Sequence, residues 1–320
     1  MSERILVTGG AGFIGSHIVD VLIARGKRAV VLDNESTGDR HHVHPQAEFV
    51  HGDVTDPNDL TPLFAAGVDA VLHIAGQASI RRSFQDPAAD LSVNTLGTIN
   101  VLNQCSAHRV PRLIFASSMT IYGHTDHVPT PETVAPNPVS YYAITKYAAE
   151  RYVHVTAQRR DLGFDLNVTS LRMFNVYGER QSLTNAYQGV FAIFIGNVLR
   201  GEPITIHADG QQSRDFVHVA DVARAWVDAI DAPASYGQVI NVGTGQATTV
   251  NTLCDQVLAA FGHTRATYPV QAAPAQPGDM RRSAADITRA RDLLGWSPQI
   301  TTAQGMPQTI MWAREVSAAR

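Results

Sequence analysis

Tyr142 and Lys146, four residues apart, are the pair in this sequence with the clearest potential for proton transfer. Such a spacing places both side chains on one helix face, although a solvated surface pair would look the same. A phenol has a pKa of about 10, and a nearby ammonium group favours its phenolate form. Ser118 ends a predicted strand, where it could hydrogen-bond the same substrate hydroxyl. We therefore predict Ser118, Tyr142 and Lys146 as the catalytic residues, with Tyr142 as the base.

A glycine-rich turn near the start of the chain gives this pair its context. The strand Ile5–Val7 leads into Gly9-Gly10-Ala11-Gly12-Phe13-Ile14-Gly15, which is followed by a helix. Gly9 permits a tight turn, Gly12 admits a pyrophosphate to the backbone N–H groups, and Gly15 allows close helix–strand packing. The N-terminus of the helix adds free N–H donors and a partial positive charge. This combination predicts a dinucleotide site.

Acidic residues after the second and third strands indicate how the adenosine would be held. Asp33 follows the strand Ala29–Leu32 and could accept hydrogen bonds from a ribose. Because a carboxylate there repels a 2′-phosphate, NAD is favoured over NADP as the cofactor. Asp53 is a candidate partner for the adenine amine, or else a cap of the next turn or helix.

Short β-branched runs alternate with longer helical patterns, which predicts an α/β fold with a doubly wound parallel sheet. The predicted strands are Ile5–Val7, Ala29–Leu32, Glu48–His51, Ala70–Ile74, Arg112–Ser117 and Leu166–Arg172, and the predicted helices are Phe13–Arg25, Pro57–Ala65, Asp86–Ala107 and Tyr141–Arg160. Such sheets bind ligands beyond the carboxyl ends of their strands, where these motifs fall.

The regular alternation weakens after about Asn175, which suggests two parts. We expect residues 1–174 to form a cofactor-binding domain and residues 175–320 to form mainly a smaller, C-terminal substrate-binding lobe. The chain is expected to return to the first domain near residues 215–245. There the predicted strands Asp215–His218 and Val239–Val242 flank a helix at Val219–Ile230.

Composition narrows the classes of function. The 320 residues are 44% hydrophobic, which allows a large core without disulfides or metals. A net charge of −4 gives no basic surface for nucleic acid. Cys105 and Cys254 are expected to be reduced core residues, and no apolar stretch approaches the roughly 18 residues of a membrane span. We therefore expect a cytoplasmic protein with no metal, nucleic-acid or membrane partner.

Taken in order, the motifs resemble the extended short-chain dehydrogenase/reductase family and, within it, the nucleotide-sugar epimerase/dehydratase group. The matching stretches are the glycine loop, Asp33-Asn34 with Ser36-Thr37-Gly38, Gly52-Asp53-Val54, His73-Ile74-Ala75, Asn94–Thr98, Ser117-Ser118 with Tyr122-Gly123, Tyr142 with Lys146, Leu171–Gly178, Arg214–Val219, Pro277-Gly278-Asp279 and Leu294-Gly295-Trp296. The resemblance covers nearly the whole chain and implies a Rossmann fold, bound NAD and a nucleotide-diphosphate sugar substrate.

The resemblance also implies the binding residues. The cofactor set is Gly9, Gly12, Phe13, Ile14, Gly15, Asp33, Asn34, Ser36, Thr37, Gly38, Asp53, Val54, Ile74, Ala75, Gln77, Asn94, Ser117, Tyr142, Lys146 and Phe174. The substrate set is Ser118, Tyr142, Asn175, Val190, Thr205, His207, Arg214, Gln276 and Asp279. Asn175 would contact the diphosphate, and Thr205–His207 would pair with the base. Arg214 would bind a phosphate through its guanidinium fork, or else form a salt bridge with Asp215.

One position departs from the pattern of the group. Many sugar-nucleotide 4-epimerases have an arginine two residues before the Gly-Asp pair, where this chain has Gln276. Some glucuronate-nucleotide epimerases also resemble Gln-Pro-Gly-Asp at this point. The usual contact to the nucleotide is therefore in doubt, and Arg281 or Arg282 is a candidate to replace it.

The residues after Ser118 favour one reaction within the group. In the related dehydratases and decarboxylases acidic residues follow the catalytic Ser or Thr and move a second proton, whereas this chain has Met119 and Thr120. The simplest outcome is oxidation at C4, rotation of the 4-keto sugar and return of the hydride to its opposite face. This predicts a 4-epimerase of the UDP-glucose/UDP-galactose type that retains its NAD.

Several alternatives remain open at this point. The loop Arg180–Val190 resembles that of dTDP-L-rhamnose 4-epimerases, although uridine is favoured over thymidine. Arg81 and Arg180 could meet the carboxylate of a UDP-glucuronate or be surface charges. A dehydratase and a non-catalytic NAD-binding protein complete the alternatives. The resemblance implies a homodimer formed through the helices Asp86–Ala107 and Tyr141–Arg160.

Overall fold

A seven-stranded parallel sheet forms the centre of the computed structural model, which describes residues 3–184, 189–275 and 280–318. Its strands are β1 (Arg4–Thr8), β2 (Arg28–Asp33), β3 (Glu48–His51), β4 (Ala70–His73), β5 (Arg112–Ser118), β6 (Asn167–Met173) and, later in the chain, Gln238–Val242. They lie in the order Gln238–Val242, β6, β5, β4, β1, β2, β3, and every pair is parallel. The predicted doubly wound sheet is confirmed.

Helices cover both faces of this sheet because alternate strand residues point to opposite sides. The helices that precede β6 are α1 (Phe13–Ala24), α2 (Pro57–Ala65), α3 (Ile80–Gln85), α4 (Pro87–Leu91), α5 (Gly97–Ala107) and α6 (Tyr141–Ala157). Ile5 and Val7 pack in one core with α1, whereas Leu6 packs in the other core with α2, α5 and α6. Both faces of the strands are therefore buried, as their continuous apolar runs require.

Beyond β6 the strands are short and form two small sheets. The remaining strands are β7 (Asn175–Tyr177), β8 (Ile204–His207), β9 (Ser213–His218), β10 (Gln238–Val242, the strand of the main sheet noted above), β11 (Ala247–Thr249) and β12 (Val270–Ala273), and the remaining helices are α7 (Val190–Arg200), α8 (Val219–Ile230), α9 (Val250–Ala260), α10 (Thr288–Leu294) and α11 (Thr302–Ala318). One small sheet has the order β11-β9-β7 and the other pairs β12 with β8. Of the two strands predicted near 215–245, only β10 joins the main sheet.

The predicted helix Asp86–Ala107 is not continuous. It consists of α4, a π-helical turn at Ser92–Leu96 and α5. Asp86 ends α3 and caps α4, since its carboxylate accepts a hydrogen bond from the Ala89 N–H. A π turn inserts one extra residue, which rotates the following helix relative to the preceding one. Hydrophobic periodicity does not reveal such an insertion, and the sequence therefore predicted one long helix.

None of the helices in the described residues has the length and apolar character that crossing a bilayer requires. Cys105 and Cys254 are both buried, and they lie in different cores, so they form no disulfide with each other. Their burial agrees with the expected role as core residues.

A buried ion pair joins α6 to the neighbouring strand β6. The Glu150 carboxylate accepts hydrogen bonds from the Arg172 Nε at 3.0 Å and Nη2 at 2.6 Å. The side chains are only 3% and 5% exposed, respectively. Glu150 also accepts a hydrogen bond from the Ser117 hydroxyl at 2.6 Å. Two strands of the sheet are thus tied to the helix that carries Tyr142 and Lys146.

Arg172→Met should destabilise the protein strongly, because it leaves the Glu150 carboxylate buried without its partner. Breaking one side of such a pair costs about 3–5 kcal/mol. Urea unfolding followed by circular dichroism measures this cost. The exposed pair of Arg159 with Asp161 provides the control, and Arg159→Ala should leave the unfolding midpoint unchanged. Equal effects of the two substitutions would contradict a special role for the buried pair.

Candidate active site

The three predicted catalytic side chains converge at the carboxyl end of β5. Ser118 is the last residue of β5, and Tyr142 and Lys146 lie one turn apart at the start of α6. The helix begins at Tyr141 because the Ser140 hydroxyl caps it by accepting a hydrogen bond from the Ala143 N–H at 3.2 Å. The Ser118 hydroxyl also interacts with the Tyr142 phenol. A substrate hydroxyl could therefore meet both groups at once.

Burial raises the pKa of Tyr142 to about 12, while a hydrogen bond with Ser118 acts in the opposite direction and the charge of Asp90 raises it further. From the sequence we expected Lys146 to favour the phenolate. In the protein alone, desolvation dominates, because a phenolate is the charged form and burial disfavours it. Tyr142 is therefore a protonated hydroxyl at rest and needs additional positive charge nearby to act as a base.

Lys146 is a buried cation, only 4% exposed. Burial lowers its pKa to about 8, and the carboxylates of Asp90 and Glu150 counteract part of that decrease. The ammonium lies 4.6 Å from the centre of the Phe115 ring, within the range of a cation–π contact. It is also close to Gly76, where an added Cβ would lie 3.6 Å from the Nζ atom. The backbone after β4 therefore passes directly over the ammonium.

The glycine loop has the close packing that the sequence predicted. Gly9 has a positive φ of 72°, and a Cβ on Gly15 would lie 2.1 Å from the Gly9 carbonyl oxygen. Gly12 is the N-cap of α1, and no side chain caps this helix. The N–H groups of the first turn, which includes Phe13 and Ile14, point out of the helix, where a pyrophosphate could accept their hydrogen bonds.

Asp33 lies beside this loop at the end of β2. Its carboxylate accepts hydrogen bonds from the Ala11 N–H at 3.0 Å and the Glu35 N–H at 2.8 Å, and burial raises its pKa. Gly38 passes so close that an added Cβ would lie 3.0 Å from the carboxylate. The loop with Asn34, Ser36 and Thr37 therefore folds back onto the glycine turn. An uncapped helix N-terminus, a glycine cradle and a fixed carboxylate together fit NAD.

The other predicted cofactor residues follow β3 and β4. The Asn34 amide donates a hydrogen bond to Asp53 at 2.7 Å, so both border the same edge, and Val54 beside them is buried. After β4, Ile74 and Ala75 return towards β1, where both N–H groups bond the Thr8 carbonyl. The Gln77 N–H donates to the Asn94 side-chain oxygen at 2.9 Å.

Two predicted cofactor residues have other partners. The Ser117 hydroxyl donates to Glu150, and Phe174 is a core residue whose N–H bonds the Val242 carbonyl. Ser117 is the penultimate residue of β5 and Phe174 directly follows β6, so both lie at the same edge of the sheet. Because the Ser117 hydroxyl donates its proton to Glu150, it could meet a cofactor only as an acceptor.

Two of the predicted substrate contacts lie near the ends of β6 and β9. The Asn175 side-chain oxygen is buried without a hydrogen-bond partner in the described part of the chain, which is costly unless a ligand supplies a donor. The Arg214 Nη1 donates to the carbonyls of Ser213 and Met280, both at 2.7 Å. Asp215 accepts hydrogen bonds from the N–H groups of Thr244, Gly245 and Ala285 and from the Thr244 hydroxyl. The Asp215 carboxylate is therefore occupied by these four donors.

The remaining substrate residues lie around α7 and β8. Val190 begins α7. Thr205 and His207 lie on β8, which pairs with β12. Gln271 donates a hydrogen bond to the Thr205 hydroxyl at 2.9 Å, and the His207 ring bonds the Pro274 carbonyl. Gln276 and Asp279 lie outside the described residues. Arg281, a suggested substitute for Gln276, forms a two-bonded ion pair with Asp209.

The charge of Arg180 is already paired within the protein. Its guanidinium lies 2.7 Å from the Asp20 carboxylate of α1, and it also donates a weak hydrogen bond to the His42 carbonyl at 3.5 Å. It therefore links the loop after β7 to α1 and to the segment after Asp33. A substrate carboxylate would compete with Asp20 for the Arg180 guanidinium.

Two buried carboxylates near Lys146 were not predicted from the sequence. Asp90 lies four residues before Asn94, and Glu150 lies four residues after Lys146. Both positions share a helix face with a predicted site residue, and this spacing was the signal available in the sequence. It was overlooked because Asp and Glu on helices usually lie on solvated faces.

The fold and site together define a class of NAD-binding α/β enzymes that carry a Ser-Tyr-Lys set, and comparison with known proteins gives the family. The family model described as NAD dependent epimerase/dehydratase matches residues 5–243. The UDP-glucose 4-epimerase of Mycolicibacterium smegmatis is 39% identical over 321 residues, covering 98% of this chain and 99% of that protein. This chain belongs to the NAD dependent epimerase/dehydratase family.

Solved structures agree with this assignment. The UDP-glucose 4-epimerase of Thermotoga maritima, determined with UDP-glucose, has a TM-score of 0.92 at 38% identity and covers 98% of this chain and 99% of its own. The UDP-glucose 4-epimerase of Thermus thermophilus in complex with NAD has a TM-score of 0.89 at 39% identity, with 97% and 99% covered. The fold and the NAD cofactor follow from this membership, and the isomerase class follows from the relatives that are named epimerases.

Asp33→Ala should narrow the preference for NAD over NADP, because it removes the negative charge expected to repel a 2′-phosphate. The dissociation constants of the two cofactors for protein stripped of bound nucleotide measure the preference. Glu48→Gln, at the opposite end of the adjacent strand, is the matched control and should leave the ratio of the two constants unchanged. An unchanged ratio in Asp33→Ala would assign the selectivity to another residue.

Proposed function

We propose that this protein is an NAD-dependent nucleotide-sugar 4-epimerase that interconverts UDP-glucose and UDP-galactose. The main observation is the convergence of Ser118, Tyr142 and Lys146 beside Met119 and Thr120, two neutral residues. The Thr120 hydroxyl donates a hydrogen bond to the Ser118 hydroxyl at 2.9 Å, so it orients Ser118 rather than supplying a second acid or base. One proton-transfer group suffices for epimerisation at C4, whereas loss of water requires another.

Each of the three residues has a role in the proposed reaction. Tyr142 takes the proton of the C4 hydroxyl while Ser118 hydrogen-bonds the same oxygen. NAD, when bound, would supply the acceptor and later the donor of the hydride at C4. Lys146 keeps positive charge near the phenol and, on the family pattern, holds the nicotinamide ribose. After the 4-keto sugar has rotated and the hydride has returned to the opposite face of C4, Tyr142 gives its proton back to the C4 oxygen.

The remaining predicted site residues divide between the two ligands. For the cofactor we propose the set given above, from Gly9 to Phe174. For the substrate we propose Asn175 and Arg214 at the diphosphate, with Thr205 and His207 near the base. The buried, unpartnered Asn175 oxygen supports the first of these roles. Val190, Gln276 and Asp279 keep their proposed substrate roles on the resemblance alone.

The pairing of Arg180 with Asp20 favours a neutral sugar over a glucuronate. An arginine that already pairs with one carboxylate at 2.7 Å binds a second carboxylate less strongly. We propose UDP rather than dTDP as the nucleotide, supported by the names of the relatives described above. The dTDP-L-rhamnose alternative rested on the loop Arg180–Val190, part of which lies outside the described residues.

We also propose that residues 1–174 bind NAD and that residues 175–320 mainly bind substrate. The pairing of β10 with β6 supports a return of the chain to the first part. However, β9 of the expected return segment belongs to a small sheet, so the return is confined to α8 and β10. Two buried cysteines support the cytoplasm as the proposed compartment.

The activity can be tested with the purified protein, UDP-glucose and no added cofactor, by proton NMR of the anomeric and H4 signals. We expect UDP-galactose to accumulate to a constant ratio, because the retained NAD is regenerated in every turnover. A stable 4-keto product or released NADH would instead indicate a dehydratase or a net oxidoreductase. No reaction here, but turnover of UDP-glucuronate or dTDP-L-rhamnose, would move the proposal to that sugar.

Tyr142→Phe should abolish this turnover while leaving NAD bound, since it removes only the hydroxyl that carries the proton. The loss should be at least about 100-fold, the size typical of a general acid–base group. Tyr141→Phe is the matched control, because its side chain is exposed and adjacent in sequence. Undiminished activity in Tyr142→Phe would exclude it as the base.

An apolar surface on the helices around α4 and α6 supports the proposed homodimer. Phe84, Leu91, Leu96, Tyr141, Ile144, Tyr152 and Val155 are exposed large hydrophobic residues that lie on α3, α4, the π turn and α6. The Phe84 and Tyr141 rings lie 5.2 Å apart, which joins α3 and α6 into one surface. Exposed apolar side chains of this kind are typical of protein interfaces, and the same helices were expected to form the dimer.

Leu91→Glu and Ile144→Glu should weaken the dimer, because in a two-fold interface each charge is buried twice. Loss of two apolar contacts of about 1.5–3 kcal/mol each corresponds to a roughly 100-fold weaker dissociation constant or more. Sedimentation velocity over a concentration series measures it. Met311→Glu, on the exposed part of α11, is the control and should not change the assembly. A wild-type monomer would refute the proposal.

A further inference from the structure

Asp90 is a buried carboxylate at which three parts of the site meet. It is 1% exposed and lies in α4. Its oxygens accept hydrogen bonds from the Gln77 amide at 2.6 Å, the Asn94 amide at 3.1 Å and the Thr145 hydroxyl at 2.6 Å. Gln77 belongs to the segment after β4, Asn94 to the π turn, and Thr145 to α6. Asp90 therefore connects all three segments.

The position of Thr145 makes this connection relevant to the reaction. Thr145 directly precedes Lys146 and lies three residues after Tyr142. Its hydroxyl shares its one proton between the Asp90 carboxylate and the Tyr142 carbonyl, which lies 3.0 Å away. Asn94 contacts the Thr145 hydroxyl as well, at 3.2 Å. The first turn of α6 is thus held in place by a set of side chains centred on Asp90. Moving Asp90 would move the turn that carries the base.

Asp90 differs from Glu150, the other carboxylate near Lys146, in how its charge is balanced. Glu150 forms a two-bonded ion pair with Arg172, so its charge is largely compensated. The three donors to Asp90 are all neutral groups. A buried charge needs a counter-charge, and hydrogen bonds to neutral donors supply this only in part. Lys146 is the cation whose protonated state Asp90 favours.

We infer that Asp90 is a positioning residue that fastens the segment after β4 to the first turn of α6 and sets the charge balance around Tyr142 and Lys146. This role rests on the proposed function, because it assigns Tyr142 and Lys146 their catalytic tasks. The carboxylate holds Lys146 as a cation despite its burial. The same charge adds to the burial that keeps Tyr142 protonated.

Other charged and titratable groups also face this pair and determine the size of the effect. Tyr142 meets the Ser118 hydroxyl from β5 and Asp90 from α4. Lys146 meets Asp90, Glu150 on its own helix and His73 at the end of β4. His73 is neutral, because burial and the Lys146 charge lower its pKa to about 3. Glu150 is balanced by Arg172, so Asp90 is the negative charge that acts on both residues.

Asp90→Asn provides the test, since it keeps the shape of the side chain and removes its charge. The negative charge raises the pKa of both Tyr142 and Lys146, so its removal should lower both. The acidic limb of the pH profile of kcat should therefore move to lower pH, by about one unit. A second readout needs no turnover. The ultraviolet titration of tyrosinate, taken as the difference between Asp90→Asn with and without Tyr142→Phe, should shift in the same direction.

Two further variants separate charge from structure. Asp86→Asn makes the same substitution four residues earlier, at an exposed cap, and should leave both readouts at their wild-type positions. Asp90→Ser removes the charge with a smaller side chain, and it should shift both readouts to lower pH if Asp90→Asn does not fold. A reduced kcat with unmoved profile and titration would make Asp90 purely structural and overturn the inference. Absence of epimerase activity in the wild type would refute the proposed function, while the tyrosinate titration would still decide on Asp90.

Discussion

The burial of one cation, the ammonium of Lys146, is the constraint on which the arrangement of the site depends. An ammonium removed from water is stable only if negative charge and polarisable groups surround it. Here Phe115 provides an aromatic face, and Asp90 and Glu150 provide carboxylates on two sides. Each carboxylate in turn needs its own partners, which are drawn from β5, β6, the π turn and the segment after β4. The catalytic helix is therefore fixed to the sheet by the same interactions that keep its lysine charged.

This arrangement explains why the helix before α5 is interrupted. Asn94 has to present its amide to Asp90 and Thr145 and its oxygen to the Gln77 N–H. The π turn at Ser92–Leu96 contains Asn94 near its centre. Insertions of this kind recur at functional sites, where they aim a side chain that a regular helix would point elsewhere. The local irregularity thus serves the polar network rather than the packing of the core.

Much of the fold followed from the sequence because the relevant signals are local. The strand–Gly9–helix turn, the alternating apolar runs and Asp33 at the end of β2 depend on neighbouring residues only, and their positions were predicted within about two residues. The breaks and the partners were not predictable in this way. The π turn, the pairing of Arg180 with Asp20 and the contact of Ser117 with Glu150 depend on residues that only the folded chain brings together. Asp90 and Glu150 shared helix spacing with predicted site residues, but spacing cannot distinguish a buried carboxylate from a solvated one.

Charge balance around the buried lysine also bears on how Tyr142 could act as a base despite a pKa of about 12 in the protein alone. A tyrosine that was already ionised would not depend on the charge of the cofactor for its activation. Here burial and Asp90 hold the proton on Tyr142, while Lys146, with a pKa of about 8, contributes a cation at neutral pH. The positive charge of an oxidised nicotinamide would add to that of Lys146 and favour the phenolate. Proton transfer would then be coupled to the oxidised state of the cofactor, which is the state in which hydride can leave C4.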